Sequence, residues 1–230
     1  MLGLCLSVYA FCGHAQIRHD MEYDWDTRME NLGLVDVCFW EPSIACHLVY
    51  ATPDNFMQRP LYNTKLTKAW LHPVAATMLF RALDILKASH PDFSILIYDA
   101  ARPIEVQRVM SDWAKRTKND NFFADPAKGG GLHNYGMAVD VTLINKNGEP
   151  FSMGTPFDFF GPEAYTDKEE DLLNRGRITR TEYNNRKLLR SVMEAAGFKS
   201  IRTEWWHFNA CTREEAVVKG LRQIKASSTR

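Results

Sequence analysis

Two short stretches carry residues whose types and spacing suit hydrolytic metal chemistry. "GGGLHNYGMAVDVTL" sets His133 seven residues before Asp140, and "RTEWWHFN" sets Glu204 three residues before His207. A carboxylate in the middle of the apolar run "MAVDVTL" is expensive to bury unless it is paired or bound to a metal. His133 and His207 are the partners at hand. Two imidazoles and one carboxylate with an open fourth position make a catalytic zinc site, in which the metal lowers the pKa of a water toward neutrality. Glu204 would be the general base. Each residue taken singly has an ordinary reading as a core, surface or backbone-satisfied group; the combination is what points to a metal.

The spacing also makes a structural demand. On a straight strand, residues three apart point to opposite faces. Glu204 and His207 can serve one metal only if the chain kinks, bulges or ends a strand between them. Trp205 and Trp206 would then wall the site and keep water out of it.

The elements that must position these residues follow from the patterning. "HPVAATMLFRALDILKASHP" repeats apolar residues at Val74, Met78, Leu79, Leu83 and Leu86 and is bounded by prolines, which predicts a core-packing helix. "FSILIYDA" reads as a buried strand. A second amphipathic helix is expected from Pro103 through "IEVQRVMSDWAK", then a polar, Gly-rich loop "TKNDNFFADPAKGGG". "MAVDVTLI" is a strand by composition. Thr179 and Glu182 have capping-box spacing ahead of "YNNRKLLRSVMEAAG", and Gly197 closes that helix. "FKSIRTEWWHF" is a further strand candidate. Helices interspersed with strands, without regular βαβ alternation or a phosphate-binding Gly-rich turn after the first strand, predict an α+β fold: a mixed or antiparallel sheet flanked by helices, with the zinc site on the sheet.

The totals narrow the function. The 230 residues suffice for one domain with a substantial core, and the 28 basic residues balance the 28 acidic ones without a dense basic run, which argues against nucleic acid as a partner. "MLGLCLSVYAFCGHA" has the apolar core and the small residues Gly13 and Ala15 of a secretory signal, though no Lys or Arg precedes the core. It is too short to span a bilayer. Residues 1–15 are therefore expected to be a signal peptide and 16–230 a single domain, exported to the periplasm or beyond; without that signal the chain would be cytoplasmic. Cys38, Cys46 and Cys211 would remain, and with no C-x-x-C pair they do not suggest a cysteine zinc site. Cys38 and Cys46 leave a disulfide and free thiols both open. Nothing in the sequence speaks to oligomeric state.

Across most of its length the chain resembles the D-alanyl-D-alanine dipeptidases, zinc peptidases of the vancomycin-resistance type. The family motif S-x-H-x-x-G-x-A-x-D is met by His133, Gly136, Ala138 and Asp140, and E-x-W-H by Glu204, Trp206 and His207. "YATPDNFMQRPLY", "YDAARP" and "PFSMGTPFDFF" match in the same order. The resemblance implies that His133, Asp140 and His207 bind one zinc ion, that Glu204 deprotonates the attacking water, that Arg102 stabilises the oxyanion of the tetrahedral intermediate, and that Tyr50 approaches the substrate. Taken without it, Arg102 and Tyr50 would be read as structural; Asp158 in "PFDFF" reads either as an acid that orients the metal ligands or organises its loop or, the commoner case, as a turn residue, and stays outside the main set. Two positions depart from the pattern. Gly131 replaces the motif's leading Ser, and Tyr135 stands where some relatives carry a basic residue; both bear on substrate preference, not on the metal.

The implied activity is hydrolysis of D-alanyl-D-alanine or a close D,D-dipeptide by metal-activated water. The cavity should then be small and closed at both ends, with "TKNDNFFADPAKGGG" and "MGTPFDFFGPEAYTDKEEDLLNRGRITR" as the closing loops. A carboxypeptidase of the same fold, trimming D-Ala from peptidoglycan stem peptides, would use the same metal residues. A non-catalytic zinc-binding domain would need neither Glu204 nor Arg102 and would usually close its fourth position with protein.

Overall fold

The structure is a computed structural model that describes residues 23–63 and 65–226; the expected signal at residues 1–15 lies outside them. In chain order the elements are α1 (Trp25–Asn31), β1 (Val35–Asp36), α2 (Val37–Trp40), β2 (Ala45–Cys46), β3 (Trp70–Leu71), α3 (Pro73–Ser89), β4 (Ser94–Asp99), α4 (Ile104–Thr117), β5 (Ala138–Ile144), α5 (Glu169–Asn174), α6 (Arg180–Ala195), β6 (Lys199–Ser200), β7 (His207–Asn209) and α7 (Arg213–Val218), with short 3-10 turns between them. A five-stranded sheet runs in the order β2-β4-β5-β7-β6. β2 is parallel to β4 and the other pairs are antiparallel, so the sheet is mixed, as the composition implied. β1 and β3 form a separate two-stranded ribbon.

The sheet's helix-facing side is built by alternation. Ile95 and Ile97 of β4 and Val139, Val141 and Leu143 of β5 pack in one apolar cluster with Leu79, Leu83 and Leu86 of α3 and Leu189, Val192 and Met193 of α6. Alternation therefore puts Asp140 on the other face of β5. The apolar stripe of α3 is rotated from its expected position: Ala75, Ala76 and Ala82 join Leu79, Leu83 and Leu86 inside, while Val74 is 46% exposed. Pro103 stands at the N-cap of α4, one residue ahead of the helix proper. α6 has its reciprocal cap, with the Glu182 amide donating to Thr179 Oγ1 at 3.2 Å and the Thr179 amide to the Glu182 carboxylate at 2.7 Å. Gly197 just beyond it takes the left-handed conformation, φ +108°.

"FKSIRTEWWHF" is not one strand. β6 and β7 pair antiparallel with each other, Lys199 opposite Asn209 and Ser200 opposite Phe208. The residues between them form a loop that carries Glu204. β7 begins at His207, so the strand end demanded by the Glu204–His207 spacing is present. No helix among the described residues is long and apolar enough to cross a membrane.

Candidate metal centre

β5 and its neighbours place three acidic and imidazole groups side by side. Asp140 is in register with His207 on one side and with Asp99 on the other. Asp99 reaches this row through a bulge: β4 pairs Ile97 with Val141 and then Asp99 with Asp140, so Tyr98 is the extra residue. Regular alternation would have sent Asp99 to the apolar face with Ile95 and Ile97; the inserted residue re-aims it. His133 arrives from a 3-10 turn, Leu132–Tyr135, that ends at Gly136 with φ +65°. A Cβ at Gly136 would lie 2.9 Å from the backbone nitrogen of His72, so this position needs glycine for space as well as for conformation.

The donor atoms converge. His133 Nε2 lies 3.1 Å from His207 Nδ1, His207 Nδ1 3.0 Å from Asp140 Oδ1, and His133 Nε2 3.3 Å from Asp140 Oδ1. A tetrahedral zinc ion with arms of about 2.0–2.1 Å sets its donors roughly 3.3–3.4 Å apart, close to this triangle. The outer nitrogens fix the tautomers. His133 Nδ1 is 2.7 Å from the carbonyl oxygen of Ala100, and His207 Nε2 is 2.9 Å from Asn209 Oδ1. Each outer nitrogen therefore carries a hydrogen and donates it, and each inner nitrogen turns a lone pair to the centre. Two lone pairs and a carboxylate oxygen at such distances repel one another without a cation among them, so the donor set fits a metal. Burial alone would raise the Asp140 carboxyl; when the imidazoles carry protons at the centre in place of a metal, their charge and hydrogen bonds outweigh it and hold the carboxyl well below the ordinary carboxylate range.

Glu204 stands at the edge of this triangle, its Oε2 3.9 Å from His207 Nδ1. Burial pushes its carboxyl up to about 7, the range useful to a group that must both accept and return a proton near neutrality. Trp206 lines the cavity and meets Phe157 edge-on at 5.3 Å. Trp205 does not wall the site. It turns away, donating to Thr155 Oγ1 at 2.8 Å with the Arg186 guanidinium 5.9 Å from its ring.

Arg102 and Tyr50, placed here by resemblance alone, both line the cavity. The Arg102 guanidinium donates from Nε and Nη2 to Asp99 Oδ2 at 2.9 and 2.6 Å and from Nη1 to Gln107 Oε1 at 2.9 Å, and it lies 5.1 Å from the Tyr50 ring. Burial opposes its charge, and Asp99 more than restores it. Two of its five N–H groups are left over for other acceptors. Tyr50 donates to Asp158 Oδ1 at 2.8 Å, and Asp158 Oδ2 is buried without a hydrogen-bond partner in the protein. Asp158, outside the main set read from the sequence, is thus part of the cavity; its backbone is left-handed, φ +59°, which a non-glycine residue adopts at a cost.

Sequence reasoning also passed over Asp99, Gln107, Asn209 and Arg213. Asp99 lay inside the matched "YDAARP" and was legible there. Arg213 had no local signal.

The cavity measures about 280 Å³, below the usual range for sites that take drug-sized ligands. The two loops expected to close it do meet above it. Phe160 of the later loop packs on Phe122 at 5.3 Å, Phe123 at 5.5 Å and Trp113 at 5.6 Å. Arg186 anchors the later loop from beneath, donating to the carbonyls of Met153 and Glu163. Cys38 on α2 and Cys46 on the edge strand β2 are free thiols.

An open two-histidine, one-carboxylate donor set beside a buried carboxylate defines a metallohydrolase. The peptidase M15 family model, described as D-Ala-D-Ala dipeptidase, matches residues 30–219, and the chain belongs to that family of metallopeptidases. Curated relatives named D-alanyl-D-alanine dipeptidase include one from Escherichia coli, 29% identical over 175 residues covering 76% of this chain and 83% of the relative. Another, from Enterococcus faecalis, is 30% identical over 175 residues covering 69% and 82%, and one from Enterococcus faecium is 29% identical over 174 residues with the same coverage.

Proposed function

We propose that the protein is a zinc-dependent dipeptidase that hydrolyses D-alanyl-D-alanine or a close D,D-dipeptide. The observation that carries this is the converging His133, Asp140 and His207 triangle with Glu204 beside it inside a small aromatic-roofed cavity; the names of its relatives supply the substrate. One zinc ion per chain, held by those three residues, would polarise the scissile carbonyl and acidify a water. Glu204 takes the proton from that water and hands it to the leaving amine. Arg102, fixed by Asp99 and Gln107, offers its two remaining N–H groups to the oxyanion as negative charge develops there. Asp158 and Tyr50 receive the dipeptide's ammonium. Burial pushes the Asp158 carboxyl up to about 8, and an ammonium beside it favours the charged form in which it binds best.

The roof formed by Phe122, Phe123 and Phe160 favours a dipeptide over a stem peptide, whose further residues would have to pass through it. The test is amine release by the zinc-loaded chain from D-Ala-D-Ala, L-Ala-L-Ala and a stem pentapeptide, with Glu204→Ala as the control. Cleavage of the D,D-dipeptide alone, lost in the variant, is the expected result; release of terminal D-Ala from the pentapeptide would replace this reading with a carboxypeptidase. The apolar N-terminal run supports export and hence turnover of wall-derived dipeptide outside the cytoplasm, which fractionation of cells expressing the full chain tests.

A further inference from the structure

Arg213, an exposed residue, lines the cavity and makes no close ion pair among the described residues, although its charge is felt by the adjacent Glu214. It is the first residue of α7, behind the N-cap Thr212. The first turn of a helix favours acidic residues, because the peptide dipoles leave positive charge there. Glu214 and Glu215 follow that rule and Arg213 breaks it, so helix formation does not explain the choice of residue. Its guanidinium reaches instead over the Gly-rich loop and donates from Nη1 to the carbonyl of Gly130. It passes so close to the loop that a Cβ on Gly129 would sit 2.8 Å from Nη2. Of its five N–H groups, one has an acceptor among the described residues.

The other cavity arginine is committed, since Arg102 is neutralised by Asp99 at 2.6 Å. The anionic residues Asp158 and Glu204 line the same cavity and suit the cationic and reacting parts of a substrate. A free dipeptide also carries a carboxylate. At Gly131 the protein has no side chain to hold it, and a Cβ added there would already lie 3.2 Å from the Cβ of Ala124.

We propose that Arg213 binds the terminal carboxylate of the dipeptide by charge-assisted hydrogen bonds, and so makes the enzyme select substrates with a free C-terminus. The inference rests on the dipeptidase reading. Gln223 holds the same loop without charge, its Nε2 donating to the carbonyl of Gly129 at 3.0 Å, and so provides a control for mere loop support.

The experiment compares D-Ala-D-Ala with D-Ala-D-Ala amide as substrates of the zinc-loaded wild type, Arg213→Ala, Arg213→Lys and Gln223→Ala. Arg213→Ala is expected to lower kcat/KM for the acid roughly ten- to a hundred-fold, mainly through KM, the range for losing a hydrogen bond to a charged group. Turnover of the amide should fall no more than it does in Gln223→Ala, the loss that loop support alone accounts for. Arg213→Lys should recover part of the loss, and Gln223→Ala should affect both substrates alike. An active wild type whose preference for acid over amide survives Arg213→Ala would overturn this inference alone. A zinc-loaded wild type that leaves D-Ala-D-Ala uncut would overturn the dipeptidase reading and this inference with it.

Discussion

Asp99→Ala should destabilise the protein far more than the loss of one acidic residue suggests. Asp99 is 0% exposed; its Oδ1 accepts from the Tyr62 hydroxyl at 2.5 Å, and its Oδ2 from Arg102 Nε and Nη2 at 2.9 and 2.6 Å. Arg102 is itself only 6% exposed. Without Asp99 the carboxylate within its reach is Asp140, 3.7 Å away and already engaged by the two imidazoles. Truncating one member of a buried ion pair costs about 3–5 kcal/mol, because the other charge is left in a medium that cannot solvate it. A domain has about 5–15 kcal/mol in all. With urea dependences of roughly 1–3 kcal/mol per molar, the unfolding midpoint should fall by about 1–5 M. The measurement belongs on metal-free protein, since metal binding to the native state adds its own stability. Asp99→Leu combined with Arg102→Met removes both charges and should return the midpoint most of the way to wild type, although the site has lost its arginine. A single variant that loses less than about 1 kcal/mol, or a double variant less stable than the single, would refute the account of Asp99 as the counter-charge of Arg102.

Asn209→Ala removes the acceptor that orients His207 and should weaken zinc binding about 10- to 100-fold in a chelator competition, whereas the equivalent support of His133 is a backbone carbonyl that no side-chain substitution removes. Glu204→Gln should keep zinc affinity and lower kcat by about 10²- to 10⁴-fold, read by metal content and rate on the same sample. Phe160→Ala should open the roof and allow D,D-tripeptides to be cut, which product analysis by mass would show; unchanged exclusion of tripeptides would move the length limit elsewhere. Thr179→Ala should cost about 1 kcal/mol by leaving an amide of α6 uncapped, measured by urea unfolding.

The parts of this molecule that were legible in the sequence are those set by local periodicity and by motif. α3, β4, α4, β5 and α6 fall where apolar spacing and caps put them, and the candidate metal-binding residues fall where an acid inside an apolar strand and the strand-breaking Glu204–His207 spacing demand. The failures share a physical cause. In "FKSIRTEWWHF" the break before His207 was legible from the spacing, but the sequence does not reveal that β6 and β7 pair with each other and expel the residues between them into a loop. Alternation sends Asp99 to the apolar face; the bulge at Tyr98 reverses this, and a bulge is a property of two paired strands, of which the sequence shows one at a time. Asp158 and Arg213 were lost for the same reason at longer range, since each becomes part of the cavity only when a distant segment arrives: Tyr50 meets Asp158 from 108 residues away, and Gly130 meets Arg213 from 83. The chemistry of hydrolysis is therefore written in short motifs, while the groups that choose the substrate depend on contacts the fold alone brings together. That division is why the spacing pointed to a metal and the family motifs to the reaction, while nothing local drew attention to Arg213.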